Sequence, residues 1–282
     1  MNKAARLMIF SSFAFSLMHL CVKALPHIPV FELVFFRSLI SLVLCFFSLK
    51  KRKVPLLGHN RVVLFLRGII GTTALSLFFF TLQNIPLAGA VTIQYLSPIF
   101  TAIFAVWIVK EKVKLRQWFF FLIAFLGVIM LKGFDLSGQI SIKFVALGVL
   151  SAALSGLAYN CIRFLRASED PLVVVFYFPL VATPIMGLLT CFQWVKPQGV
   201  DWFFILLLGL LTQLAQIFMT KGIQSDLAGN TMSFKYVGVL FAFLYGYFFF
   251  GETYSVFSVF GILLLLLAVI LNIVYRNKEI PE

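Results

Sequence analysis

Carboxylates are scarce in this chain: ten aspartates and glutamates stand against 23 lysines and arginines among 282 residues. Histidine is scarcer still, and the three copies at positions 19, 27 and 59 are too scattered to build a metal site. The four cysteines, Cys21, Cys45, Cys161 and Cys191, show no CxxC spacing. Burial as small apolar residues is therefore expected for them, without a disulfide or metal role. No GxxxxGK phosphate loop occurs, so direct ATP drive is not encoded and no cofactor is expected. Missing too are the clusters of His, Asp, Glu or Cys at one membrane face that integral-membrane enzymes usually show. An enzyme acting on a lipid or isoprenoid substrate stays only as the alternative reading.

What the chain has is apolar length. Its apolar content of 62%, charge content of 12% and mean hydropathy of +1.04 leave too little polar surface for a soluble globule. A helix crossing the roughly 30 Å hydrocarbon core needs about 20 apolar residues. Cutting the sequence at its charge clusters and turn residues gives ten such spans: Ala5 to Leu25, Val30 to Leu49, Val62 to Leu82, Leu87 to Val109, Leu115 to Leu131, Phe144 to Leu165, Leu172 to Trp194, Trp202 to Thr220, Leu227 to Phe250 and Val256 to Val274. A transmembrane β-barrel would alternate polar and apolar residues over segments of about 10, and runs such as GILLLLLAVIL exclude it. The first span follows Lys3 and Arg6 as a signal peptide would, yet it lacks a small-x-small cleavage site, so it is expected to stay in the protein.

The chain also repeats itself. LAGAVTIQYLSPIFTAIFAVWIVKEK, from Leu87, returns as LAGNTMSFKYVGVLFAFLYGYFFFGET, from Leu227. Tyr95 with Glu111 answers Tyr236 with Glu252. Upstream, His19, Cys21 and Lys23 correspond to Tyr159, Cys161 and Arg163, and Gly68 to Gly209. The repeat assigns residues 1–132 to one five-helix unit and 143–275 to a second. Duplication across many apolar segments marks secondary transporters, whose halves rock about a site at their interface.

Lysine and arginine concentrate in cytoplasmic loops. One set of ends and loops holds sixteen, including Lys3, Lys50 to Lys53, Lys110 to Arg116 and Arg276, whereas the opposite set holds only Lys132, Lys143 and Lys196. Both termini are therefore expected in the cytoplasm. Five helices per unit is an odd number, so the second unit must be inverted. The net charge of +13 is topological and not a nucleic-acid footprint. The expected partners are the lipid bilayer and a small-molecule substrate, the expected location is a bacterial inner membrane, and the chain is expected to work as a monomer or homodimer.

These stretches carry a family resemblance that covers essentially the whole chain. FELVFFRS from Phe31, LRGIIG from Leu66, IPLAGAVTIQYLSPIF from Ile85, and the glutamates Glu111 and Glu252 resemble the drug/metabolite transporter superfamily of EamA type. The FExxFFR and LRG pair looks most like the branch that includes bacterial S-adenosylmethionine transporters. The second copy departs from the pattern, with Val239 for Pro98 and Lys235 for Gln94. The resemblance implies an all-α integral membrane fold of ten helices in two inverted five-helix repeats. It also implies a cavity between the repeats, lined by the first, third, fourth, sixth, eighth and ninth spans.

Polar residues inside spans are the informative minority, because an unpaired charge in the bilayer costs at least a few kcal/mol. Lys235 and its partner position Gln94 read as substrate-binding residues beside Tyr95 and Tyr236; Lys235 alternatively meets a carbonyl or Glu32, or snorkels to the cytoplasmic face. His19 and Tyr159 occupy equivalent places and read either as packing residues or as binding residues. Gln213 and Gln216, three apart, share a helix face and either read a ligand or tie helices together. Glu32 and Arg37, five apart, are turned about 140° from each other, so each is expected to find a partner on another helix as a structural or gating ion pair. Arg67 is expected to anchor at the membrane edge. Small residues at Gly68, Gly71, Ser151, Ser155, Gly156 and Gly209 are expected to bring helices close. With Glu32 the only carboxylate inside a span against His19, Lys23, Arg37, Arg67 and Lys235, the cavity should prefer a ligand carrying a carboxylate, a zwitterion included.

Overall fold

The computed structural model describes residues 3–108, 115–133, 141–225 and 237–278. Among these residues every regular element is a helix: α1 Lys3–Lys23, α2 Val30–Lys51, α3 Arg61–Asn84, α4 Leu87–Gln94, α5 Ser97–Ile108, α6 Leu115–Gly133, α7 Ile142–Phe164, α8 Pro171–Thr190, α9 Asp201–Ser225, α10 Val237–Phe250 and α11 Val256–Lys278. Apolar length explains the elements and local chemistry fixes their starts. The Asn60 side chain accepts the Val63 amide at the head of α3, and Asp170 accepts the Leu172 amide at the head of α8, with Pro171 at the first helical position.

The fourth span is broken. α4 stops at Gln94 and α5 resumes at Ser97, because Pro98 has no amide hydrogen to offer the Gln94 carbonyl one turn earlier. The apolar stretch Leu87–Ile108 is nevertheless long and apolar enough to cross a bilayer as one span. It is one of seven among the described residues that are long and apolar enough to span a bilayer, and three shorter apolar helices, Leu115–Met130, Gly238–Phe250 and Val256–Leu271, accompany them. The start expected for the ninth span, Leu227 to Tyr236, lies outside the described residues, as does Glu111. α8 ends earlier than expected, so Cys191 is exposed where burial was foreseen, whereas Cys21 and Cys45 are buried.

Packing pairs the first six helices with the last five in a reciprocal pattern. α1 lies against α9 and α3 against α7; α2 touches α9 as α3 touches α8; α1 meets α10 as α7 meets α4 and α5; α2 pairs with α8 and α6 with α11. Exchanging each helix for the one that the sequence repeat pairs with it leaves this pattern unchanged. Two buried glutamates repeat the relation in the loops. Glu32, in the first turn of α2, accepts the Val195 amide of the α8–α9 loop at 3.0 Å. Glu169, just before α8, accepts the His59 and Asn60 amides of the α2–α3 loop at 2.7 and 2.6 Å.

Glycines set the closest approaches. A Cβ on Gly68 would stand 2.6 Å from Val181 Cγ2 and 2.9 Å from the Tyr177 carbonyl, so α3 can lie this near α8 only without one. Large apolar side chains such as Phe47, Leu122, Phe192 and Phe248 stay exposed on the outer surface, where a bilayer would cover them.

Candidate functional site

The break in the fourth span opens on a cavity lined by helices from both halves of the chain. Its wall takes His19 from α1, Arg67 from α3, Gln94 and Tyr95 from the break, Tyr159 from α7 and Gln216 from α9, with Phe178 of α8 closing one side. His19 and Tyr159, equivalent in the repeat, thus face one space. Gln94 is held at both ends of its amide: Nε2 donates to the Ser155 hydroxyl at 2.8 Å, and the Ser151 hydroxyl donates to Oε1 at 3.0 Å. Those serines belong to α7, so Gln94 fixes the end of α4 against the second unit. Tyr95 is buried with its hydroxyl against Gly238 of α10.

Two arginines converge on Phe178. The Arg37 guanidinium carbon lies 4.9 Å from the ring centroid and that of Arg67 5.1 Å. Both side chains are almost fully buried, at 1% and 3% exposure. Arg37 donates from Nε to Thr212 Oγ1 of α9 at 3.1 Å, and its Nη1 has no partner. Arg67 Nε and Nη1 are buried without a hydrogen-bond partner, and no carboxylate among the described residues lies within 4.0 Å of either guanidinium. A cation over a desolvated ring gains about 2 kcal/mol, whereas burying an ion costs several kcal/mol even after relaxation. The ring offsets part of that cost and leaves the site strongly positive.

Gly71 makes this arrangement possible. A Cβ there would lie 3.0 Å from Arg67 Nη1 and 3.0 Å from Phe178 Cδ2. The Arg67 side chain therefore runs along α3 over the bare turn at Gly71, toward the middle of the helix.

The end of α1 and the head of α4 are fastened by Glu252, in the turn between α10 and α11. Its carboxylate accepts the Leu87 amide at 2.8 Å, lies 3.3 Å from Lys23 Nζ, and accepts the Tyr254 hydroxyl at 2.6 Å. Lys23 also donates to the Ile85 carbonyl at 2.7 Å. The Leu87 amide is one of the unsatisfied donors at the head of α4, where a carboxylate is favoured by the helix dipole as well as by the bond. Burial first, and then the Glu252 carboxylate, hold the Tyr254 phenol well above its ordinary pKa, so it stays a donor.

The structure sorts the expected site residues. His19, Gln94, Tyr95 and Tyr159 come together in the cavity wall, while Lys235 and Tyr236 lie outside the described residues. Gln213 does not join them: its Nε2 reaches Cys45 Sγ of α2 at 2.9 Å, and Gln216 takes the cavity position. Among the described residues neither Glu32 nor Arg37 takes part in an ion pair: Glu32 holds a loop amide and Arg37 a threonine and a phenyl ring. Arg67 is no edge anchor but a wall residue. Sequence reasoning missed Phe178 altogether; within PLVVVFYFPLVATP nothing separates it from its apolar neighbours.

Comparison with known proteins decides the family. The profile of the EamA-like transporter family matches residues 2–132 and 142–274. The chain belongs to this family. It is 30% identical over 267 residues to the pseudopaline exporter of Pseudomonas aeruginosa, covering 94% of this chain and 93% of that one. Solute carrier family 35 member G1 of Mus musculus is 32% identical over 273 residues, covering 90% and 74%. The S-adenosylmethionine uptake transporter of Rickettsia prowazekii is 25% identical over 251 residues, covering 88% and 84%. A solved crystal structure superposes with a TM-score of 0.73 at 17% identity, covering 98% of this chain and 99% of that one, a likeness of fold alone. The chain is thus a multi-pass membrane transporter of the drug/metabolite superfamily, and its relatives are transporters, not enzymes.

Proposed function

We propose that the protein carries a small polar metabolite bearing a carboxylate, zwitterions included, across a bacterial inner membrane by alternating access, with both termini in the cytoplasm. The observation that supports this reading most directly is the cavity at the interface of the two units, walled by residues at equivalent positions such as His19 and Tyr159. A site shared by two rocking units can be exposed to one face and then the other without a continuous channel. In this orientation the Lys23–Glu252 fastening is the closure on the outer side, and the arginine- and lysine-rich loops lie inside.

The basic bias of the interior supports the carboxylate. Lys23 is paired with Glu252, but Arg67 in the cavity wall, and Arg37 behind it across Phe178, have no counter-ion among the described residues. The pseudopaline exporter and the S-adenosylmethionine uptake transporter are both transporters of small metabolites by name, in keeping with a substrate of that size here.

Reconstitution into liposomes tests this reading. Carboxylate-bearing metabolites should cross protein-containing membranes saturably and emerge chemically unchanged. Absence of flux for every metabolite class offered, or appearance of a modified product, would overturn it.

A further inference from the structure

Both arginines come from the two motifs that bear on the family, FELVFFRS and LRGIIG, yet they meet on a phenylalanine that neither motif contains. Arg37 stands away from the cavity, tied to Thr212, whereas Arg67 is part of the wall. We propose that Arg67 is the anion-binding residue of the cavity, taking a carboxylate of the transported metabolite on its guanidinium, with Phe178 as the plate that holds it flat and Arg37 as the second positive charge behind the plate.

Three observations converge on this assignment. Arg67 is buried against the cavity with Nε and Nη1 lacking any hydrogen-bond partner, so the donors on these two nitrogens are not consumed by the fold. A guanidinium presents a planar fork that matches the two oxygens of a carboxylate, a match that an ammonium lacks. Phe178 and the bare turn at Gly71 bracket the group, which reduces the freedom it must lose when a ligand arrives. Arg37 cannot reach the ligand as the structure stands, but its charge shares the same ring and raises the local positive potential. The remaining wall, His19, Gln94, Tyr95 and Tyr159, offers hydroxyl, amide and imidazole groups to the rest of the molecule.

This inference rests on the proposed transport function and narrows it to one residue and one chemical group. The test uses the full-length protein purified in detergent, with its unfolding midpoint followed against sodium acetate, succinate, citrate and glutamate, and against chloride and phosphate at equal ionic strength. At least one carboxylate should raise the midpoint saturably, and chloride and phosphate should not. Arg67→Gln should raise the half-saturating concentration of that carboxylate at least tenfold. Arg67→Lys, which keeps the charge and guards against a folding failure in the first variant, should raise it severalfold because the planar fork is lost. Arg37→Lys should have the smaller effect.

No saturable shift with any of the four carboxylates, an equal shift with phosphate or chloride, or unchanged half-saturation in both Arg67 variants would overturn the assignment. Flux of an uncharged metabolite through the wild type, indifferent to Arg67→Lys, would overturn it while leaving the transport reading standing. Absence of all flux would remove the transport reading itself.

Discussion

Lys23, closing the first helix, and Glu252, just past the tenth, lie 3.3 Å apart, and the same carboxylate holds the amide that begins α4. The end of α1 and the head of the broken span are therefore fastened to the turn after α10 by one side chain of that turn. A fastening with so few bonds can be released and remade, as a gate requires.

Glu252→Gln removes the ion pair and weakens the contact with Leu87. The loss of charge-assisted bonds is worth roughly 1.5 to 3 kcal/mol, and each 1.4 kcal/mol is about a tenfold change in an equilibrium. With a single cysteine at Ala158 in a cysteine-free background, labelling by an impermeant maleimide from the Lys23 side should quicken about tenfold or more in the variant. Equal labelling rates would show that the contact does not hold that end closed.

Gly71→Ala should disturb the arginine site, because the added methyl meets both Arg67 Nη1 and Phe178 at 3.0 Å. Overpacking of this kind costs about 1 to 3 kcal/mol. Gly68→Ala should cost more stability, since its methyl meets the Tyr177 backbone carbonyl, which cannot swing aside as a side chain can. Thermal unfolding of the two variants side by side checks the order; a Gly68→Ala protein as stable as wild type would contradict the close approach of α3 to α8.

Pro98→Ala restores the amide that the Gln94 carbonyl lacks. The helix interior then regains a bond whose absence, with the ring's clash, costs about 3 kcal/mol. The variant should unfold at an equal or higher temperature than wild type yet transport more slowly, because a continuous helix withdraws Tyr95 from its place at the break. A variant with undiminished transport would show that the break is incidental.

Much of this was legible in the sequence for reasons that can be named. Long apolar runs mark the spans and their order, since a bilayer offers the backbone no other partner, and Pro98, where the fourth span breaks into two helices, is visible as a difference between the copies. Depth was harder. Arg67 was assigned to the membrane edge by its distance from the end of the span, but an arginine side chain spans a full helical turn and here lies over Gly71 toward the centre. Gln213 and Gln216 share a face only broadly: three residues turn a helix about 300°, which leaves one amide in the cavity and sends the other to Cys45. Phe178 was illegible because an apolar run contains no mark for the one ring that meets two cations. Glu252 was recognised as the end of a repeat, and its partners, being distant in the chain, were not.

Sidedness offers a separate check. Glu252→Cys in a cysteine-free background should react with an impermeant maleimide added outside whole cells, and Glu111→Cys, at the equivalent position of the other copy, should not. The same sidedness for both positions would end the inverted arrangement.

Two-sided access to the cavity tests the central claim most directly. Tyr159→Cys, in the same background, places a thiol in the wall between the units. Impermeant maleimide should label it in right-side-out vesicles and again in inside-out vesicles, and a bound carboxylate substrate should slow both reactions. Labelling from one face only, under every condition of substrate and gradient, would contradict a cavity that opens alternately to the two sides of the membrane.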